Sequence, residues 1–385
     1  MTDVKLFINL IRYHLHHSAA DELPGSAPDA VTIDRLISLA HRHDLTALLG
    51  SVLLENNLIS SETQKITLQE AMCKAACYYE IMNNEIQWLD AVLEKAMIPH
   101  ILLKGGVIRK YYPNPWERTS GDIDILIPEE MLDEAVSILC RNGCHCQRDR
   151  RYHDIPLRTP GNNLLELHFN ICEDIPVLDN VLKRVWEYST VVPGKCYEYR
   201  QSPEFLLFHL LAHMSYHLIH GGCSIRNFID IRLLLQNENL DHQVLEHLLF
   251  EAKLTDFCTQ VTALNGAWFE GNDHSQTTKL LEELVANGQT FGSRDKEILM
   301  EQAKAGSRIK YVFQRIFMPY KLLTRQYPIL KKHPLLLPFC QILRWLRILT
   351  GNRMVAWKEI QTSHSHSEIQ IQEAQKTLKK IGLNF

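Results

Sequence analysis

The sequence lacks the features that would assign it to several common classes. Its ten cysteines include no C-x-x-C pair and no evenly spaced framework. This argues against a zinc ribbon or a disulfide-stapled secreted domain and predicts reduced thiols. No apolar run approaches the roughly 20 residues that cross a bilayer. The longest candidate, residues 334–350, is broken by Gln341, Arg344 and Arg347. The opening Met-Thr-Asp-Val-Lys has no basic, then apolar, leader pattern, so a cytoplasmic location is expected. There is no internal repeat and no heptad pattern. A net charge of -4 gives no general affinity for polyanions. Acid is missing from one long stretch, however. From Gln302 to Lys358 there are twelve Lys or Arg and no Asp or Glu, which leaves -16 for the rest of the chain. That segment predicts either pairing with the acidic remainder or an anionic partner: nucleic acid, an acidic acceptor or a membrane surface.

What is present divides into three parts. Apolar positions at three- and four-residue spacing predict helices over residues 33–49 and 62–93. Asp34, His41, His43 and Asp44 fall on polar positions of the first, and His14, His16 and His17 read as a solvated helix. Near Ile98 the pattern changes. His100-Ile-Leu-Leu-Lys reads as a buried strand entering Gly105-Gly106, and a short helix runs to Tyr112. Pro113-Asn-Pro then forces a loop. Asp122-Ile-Asp-Ile-Leu-Ile is a second strand, and residues 129–141 are a helix stopped by Gly143. Two short strands follow over 144–157, and Leu164-Leu-Glu-Leu-His-Phe is the last. Ser202-Pro203 starts a new helix, with Ser as cap and Pro at the first position. Helices continue to about Lys358, and residues 361–368 form a polar stretch. The expected fold is α+β: a small mixed-sheet domain at 98–200, flanked by helical regions at 1–97 and 201–385.

The chemistry concentrates in the small domain. On a strand, side chains alternate, so Asp122 and Asp124 share a face. Two adjacent carboxylates repel unless a cation sits between them. Mg²⁺ favours a few carboxylates plus phosphate oxygens. A Gly-Gly turn lets backbone amides approach an anion closely. Gly105, Gly106 and Lys104 with Asp122 and Asp124 therefore read as a triphosphate site. An isolated D-x-D is usually a solvated polar face; the neighbouring turn and the apolar Ile-Leu-Ile argue otherwise.

The arrangement of the Gly-Gly turn and D-x-D resembles the DNA polymerase β-type nucleotidyltransferase superfamily. More closely, Leu103-Lys104-Gly105, Tyr112-Pro113, Arg118 and Gly121-Asp-Ile-Asp-Ile-Leu resemble the bacterial uncharacterised nucleotidyltransferase family. So do Glu166-Leu167-His168-Phe169; His209, His213 and His217 ahead of Asp230; and Tyr327-Pro328, His333-Pro334 and Leu337-Pro338. The resemblance implies transfer of a nucleoside monophosphate from an NTP, with ATP the expected donor, to an acceptor hydroxyl or phosphate. It implies that Asp122 and Asp124 hold two Mg²⁺ (or Mn²⁺) ions. The alternatives are nucleotidylation of a protein or tRNA, and a non-catalytic nucleotide-binding protein.

Glu166 is the best third carboxylate, as metal ligand or general base, with Asp154 or Glu173 in reserve. Glu166 and His168 share one strand face, opposite Leu165, Leu167 and Phe169. His168 either orients Glu166, touches phosphate or is structural. Lys104 contacts phosphate or ion-pairs with Asp122 or Asp124. Arg118 and Ser120 either neutralise the leaving pyrophosphate or, for Arg118, lie on the surface. His153 is a weaker candidate for the cleft. His209, His213 and His217 repeat every four residues along one helix face, which better suits an interdomain contact than zinc. Removing one aspartate charge at Asp124 should relieve repulsion with Asp122.

Overall fold

The computed structural model describes residues 3–16, 23, 27–146, 151–286, 294–351 and 362–384. They form two compact units, one of residues 3–216 with 223–286, the other of 217–222 with 294–384. The first opens with helices α1 (Asp3–His16), α2 (Ala30–Arg42), α3 (Thr46–Glu55) and the long α4 (Glu62–Lys95). The helical run expected over 33–49 is therefore broken. Asp44 takes a left-handed φ of 54°, and the chain restarts at Thr46. The break turns His43 inward: it is fully buried and accepts a hydrogen bond from the Ile225 amide. His14 is also buried rather than solvated, with its Nε2 2.9 Å from Glu117 Oε1. Burial opposes its charge, but Glu117 outweighs that and raises its pKa.

A mixed α+β sheet follows, of β1 (His100–Leu102), β2 (Asp122–Leu126), β3 (His145–Cys146), β4 (Asp154–Arg158) and β5 (Leu164–His168). Between β1 and β2 lies α5 (Gly105–Ile108); between β2 and β3 lies α6 (Leu132–Arg141). β5 is not the last strand. After α7 (Pro176–Leu182) come β6 (Ser189–Val191) and β7 (Glu198–Gln201), and β7 pairs in parallel with β1. The order is β3-β4-β5-β2-β1-β7-β6, so β2 is the middle strand of seven.

Alternation on β2 and β5 decides the core. Ile123, Ile125, Leu165 and Leu167 face one side and pack with Met82, Leu89 and Leu93 of α4 and Ala135 and Leu139 of α6. Burying each such side chain stabilises by about 1.5–3 kcal/mol. A one-residue slip would turn Asp122, Asp124 and Glu166 into that core, so packing sets the register. α4 also clamps the loops: Glu85 accepts from Thr159 (2.6 Å), the Gly161 amide (2.9 Å) and Asn163 (2.6 Å) in the β4–β5 turn. Glu94 accepts from the amides leading into β7.

Helices α8 (Pro203–Ile219), α9 (Ile225–Asn237), α10 (His242–Glu251), α11 (Thr255–Phe269) and α12 (Gln276–Ala286) come next. Ser202 caps α8 as expected, its Oγ accepting from the Phe205 amide at 3.3 Å. The second unit contains α13 (Arg294–Ala305), α14 (Arg308–Ile316), α15 (Tyr320–Gln326), α16 (Leu337–Gly351) and α17 (Glu368–Lys380). The polar stretch holds a helical segment over 362–365, and His366 is buried against Gln302. Gln361 lies outside the described residues. No helix among the described residues is long and apolar enough to cross a membrane.

Candidate functional site

The parallel pairing of β2 and β5 places Asp124 directly opposite Glu166, and Asp122 opposite Leu164. Ligand atoms of Asp124, Glu166 and His168 all lie within 4.8 Å of one another, the one group among the described residues that could hold a metal ion. His168 Nε2 is 2.8 Å from Asp124 Oδ1 and 3.8 Å from Glu166 Oε2. His153 stacks on His168, with ring centroids 5.4 Å apart. Asp122 stands on the same face of β2 and accepts a hydrogen bond from Ser120 Oγ at 3.1 Å.

The charges are unequal. Burial raises the Asp122 carboxyl, and Asp124 beside it adds to the effect. Burial and Asp124 likewise push Glu166 up, despite Arg151 Nη1 at 2.9 Å. Burial also opposes the charge on Asp124, but Lys104 and the His168 hydrogen bond outweigh it and hold its carboxyl far below the usual range. Lys104 is partly buried. Desolvation works against its charge, and Asp124, Glu173, Asp122 and Glu166 together keep its ammonium protonated.

Lys104 reaches this place through an unusual backbone. Its φ of 42° with ψ of -113° is a conformation that L residues rarely adopt. Such strain, of about 1–3 kcal/mol, persists where surroundings over-determine it. The next two glycines have packing reasons. A Cβ on Gly105 would come within 3.1 Å of Ser120 Oγ, and one on Gly106 within 2.8 Å of the Leu102 side chain. The Gly106 amide donates to the Leu103 carbonyl inside the turn.

Arg118 does not lie on the surface. It is buried, its Nε bonding both Asp230 oxygens at 2.8 and 3.0 Å, and Tyr112 donates to the same carboxylate at 2.7 Å. Arg226 Nη1 reaches Asp44 Oδ2 (3.1 Å) and the Thr119 carbonyl (3.1 Å). These residues brace the loop ahead of Asp122.

Of the reserve carboxylates, Asp154 is buried and held by Arg151 at 3.1 Å. Glu173 pairs with His213 Nδ1 at 2.7 Å, and His213 and Lys104 pull its carboxyl well below the usual range. This carboxylate–imidazole pair joins a loop to α8, and the pairing has no pattern in the sequence. The four-residue spacing did bring His209 and His213 to one face. His209 is fully buried at hydrogen-bonding distance from Gln201 (3.2 Å), and burial lowers its pKa to about 3.

The donor set suits a hard divalent cation: carboxylates from two strands, half-buried, with an imidazole fixing one of them. A cation is also the species that relieves the mutual repulsion that raises Asp122 and Glu166. No curated protein and no solved structure matches the chain. A model of the uncharacterised nucleotidyltransferase family matches residues 29–270, which takes in the whole sheet and the site but not the Tyr327–Pro338 segment. With well over half its length matched, the chain belongs to the uncharacterised nucleotidyltransferase family.

Proposed function

We propose that this chain is a metal-dependent nucleotidyltransferase of the DNA polymerase β type, transferring a nucleoside monophosphate from an NTP, with ATP the expected donor, to an acceptor hydroxyl or phosphate. The observation that carries this reading is the register that sets Asp124 against Glu166, with Asp122 on the same face and Lys104 held charged beside them.

Asp122, Asp124 and Glu166 would hold Mg²⁺ or Mn²⁺, which when bound neutralises phosphate charge and acidifies an acceptor hydroxyl. Two ions are the number that the resemblance implies. Lys104 places a fixed cation against the phosphates, in a site where its own neutralisation is opposed by four carboxylates. His168 fixes the orientation of Asp124 through the 2.8 Å hydrogen bond. Glu166, made more basic by burial and by Asp124, takes the acceptor proton. The acceptor oxygen then bonds to the α-phosphorus as the bond to the pyrophosphate oxygen breaks, and pyrophosphate leaves. Where the acceptor is a phosphate, no proton need move. Arg118, committed to Asp230, supports the loop carrying Ser120 and Asp122 instead of meeting pyrophosphate itself.

The test is calorimetric NTP binding in EDTA and in Mg²⁺, together with pyrophosphate release across NTPs and acceptors that include small molecules, tRNA and protein. Binding should strengthen clearly with Mg²⁺, and one NTP–acceptor pair should release pyrophosphate. Equal affinity in EDTA and Mg²⁺ would overturn the reading.

A further inference from the structure

Several large apolar side chains of the second compact unit are exposed. On α14, Ile309, Phe313 and Ile316 recur at four- and three-residue spacing along one exposed face, and Phe317 extends it. Phe313 is 60% exposed. On α16, Phe339, Ile342, Leu343 and Leu346 occupy i, i+3, i+4 and i+7, the pattern of a single helical stripe, and all are exposed. Leu335, just before α16, is 95% exposed. These residues are surplus to the local core, which is built from Leu323, Leu330 and Cys340.

The two helices meet at an aromatic junction. Phe317 lies 4.9 Å from Phe313 and meets the Trp345 ring edge-on at 5.6 Å. Trp345 Nε1 donates to the Ile316 carbonyl at 2.8 Å, and Arg344 donates to the Arg315 carbonyl at 2.8 Å. The junction of α14 with α16 is thus hydrogen-bonded. Exposed Lys310, Lys331, Lys332 and Arg347 belong to the same segment, and no Asp or Glu occurs from residue 302 to 351. An exposed apolar surface of this kind marks an interaction site.

We propose that this surface docks on an anionic lipid bilayer. Aliphatic and aromatic side chains would enter the headgroup–acyl boundary, with the lysines and arginines against lipid phosphates. Both halves of the composition are needed for this choice. Nucleic acid would use the cations but leave Leu335, Ile342 and Leu346 wet. A second copy of the chain would cover the apolar residues but bring like charges together. The helices are too short and too basic to span, so they lie in the interface plane. This inference is independent of the nucleotidyl-transfer reading.

The test is flotation of the full chain with vesicles of phosphatidylcholine alone or with about 30% phosphatidylglycerol. The chain should float with the anionic vesicles only, and less as salt is raised. The paired variant Phe339→Asp/Leu346→Asp should lower the bound fraction at least about ten-fold. Its circular dichroism and melting should match wild type, because both positions are exposed. Lys331→Glu/Lys332→Glu should weaken flotation at low salt without touching the apolar stripe. No flotation with anionic vesicles, or flotation unchanged by both variants, would overturn the proposal. So would a wild-type dimer that Phe339→Asp/Leu346→Asp dissociates in light scattering, or nucleic-acid binding without vesicle binding.

Discussion

Asp124 and Glu166 are direct partners across two parallel strands, yet their carboxyls are held in opposite directions. Both are half-buried beside like charge. Asp124 has Lys104 and His168 to stabilise its ionised form, whereas for Glu166 burial and the charge on Asp124 outweigh its cationic neighbours. The negative charge of the site is thus unevenly supported, and the variants below exploit the difference.

Neutralising the two β2 aspartates should have opposite effects on stability in metal-free buffer. Asp124→Asn removes the favoured carboxylate and should cost about 1–3 kcal/mol. A folded pKa held below the unfolded value contributes stability above about pH 3.9 that is lost as pH falls, so the penalty should shrink in acid. Asp122→Asn removes a charge that burial and Asp124 disfavour, and should leave the melting temperature unchanged or raised. The gain from relieved repulsion is therefore expected at Asp122 and not at Asp124. Thermal unfolding in EDTA decides it; shifts of the same sign and size would refute this account. Both variants should lose transfer.

Glu166→Gln should separate chemistry from binding. If Glu166 takes the acceptor proton, turnover with a hydroxyl acceptor should fall about 10²–10⁴-fold, with a smaller change in NTP affinity. Single-turnover rates and calorimetry on one preparation check this. A loss confined to NTP affinity would make Glu166 a binding residue only.

Acid sensitivity should trace in part to His209. Burial, followed by the charges of Lys104 and His213, lowers its pKa to about 3. The unfolded chain binds the proton more readily, so this contribution is complete above roughly pH 6.5 and is lost as pH falls towards 3. His43, lowered by burial to about 4, acts in the same direction. Urea unfolding between pH 7 and 4.5 should show stability falling by up to roughly 1.4 kcal/mol per pH unit for each histidine. His209→Leu should remove about half of that slope. An unchanged slope in the variant would mean that His209 is protonated in the native state.

Asp230→Asn tests the buried brace behind the site. Asp230 is the shared acceptor of Arg118 and Tyr112, all three buried. Leaving the Arg118 guanidinium uncompensated should cost about 3–5 kcal/mol. Chemical denaturation should show that loss. A cost under about 1 kcal/mol would mean that Arg118 finds another partner and that the loop before Asp122 does not depend on the pair.

The local parts of this protein were legible in its residues. Period-two alternation placed Asp122 with Asp124 and Glu166 with His168, because strand geometry leaves a side chain only two faces. Gly105-Gly106 and Pro113-Asn-Pro marked the ends of short elements, and Ser202-Pro203 a helix start, because those residues restrict or free the backbone itself. The family resemblance rested on the same local motifs. Strands β6 and β7 were not legible, being three and four residues long and defined by pairing with each other and with β1. Helical periodicity ran through His43 because one residue's turn to positive φ leaves no trace in apolar spacing.

Only the tertiary structure decided who stands beside whom. Parallel pairing of β2 with β5 brings Glu166 to Asp124 across 42 positions of sequence, and α8 brings His213 to Glu173 across 40. Arg118 is joined to Asp230, 112 residues away, a pairing that no local pattern marks. Coulomb energy depends on distance and local dielectric, neither of which is a property of a residue type. The sequence by itself therefore determined which carboxylates were available and on which faces, while folding determined which remain charged, which repel and which are committed to structure.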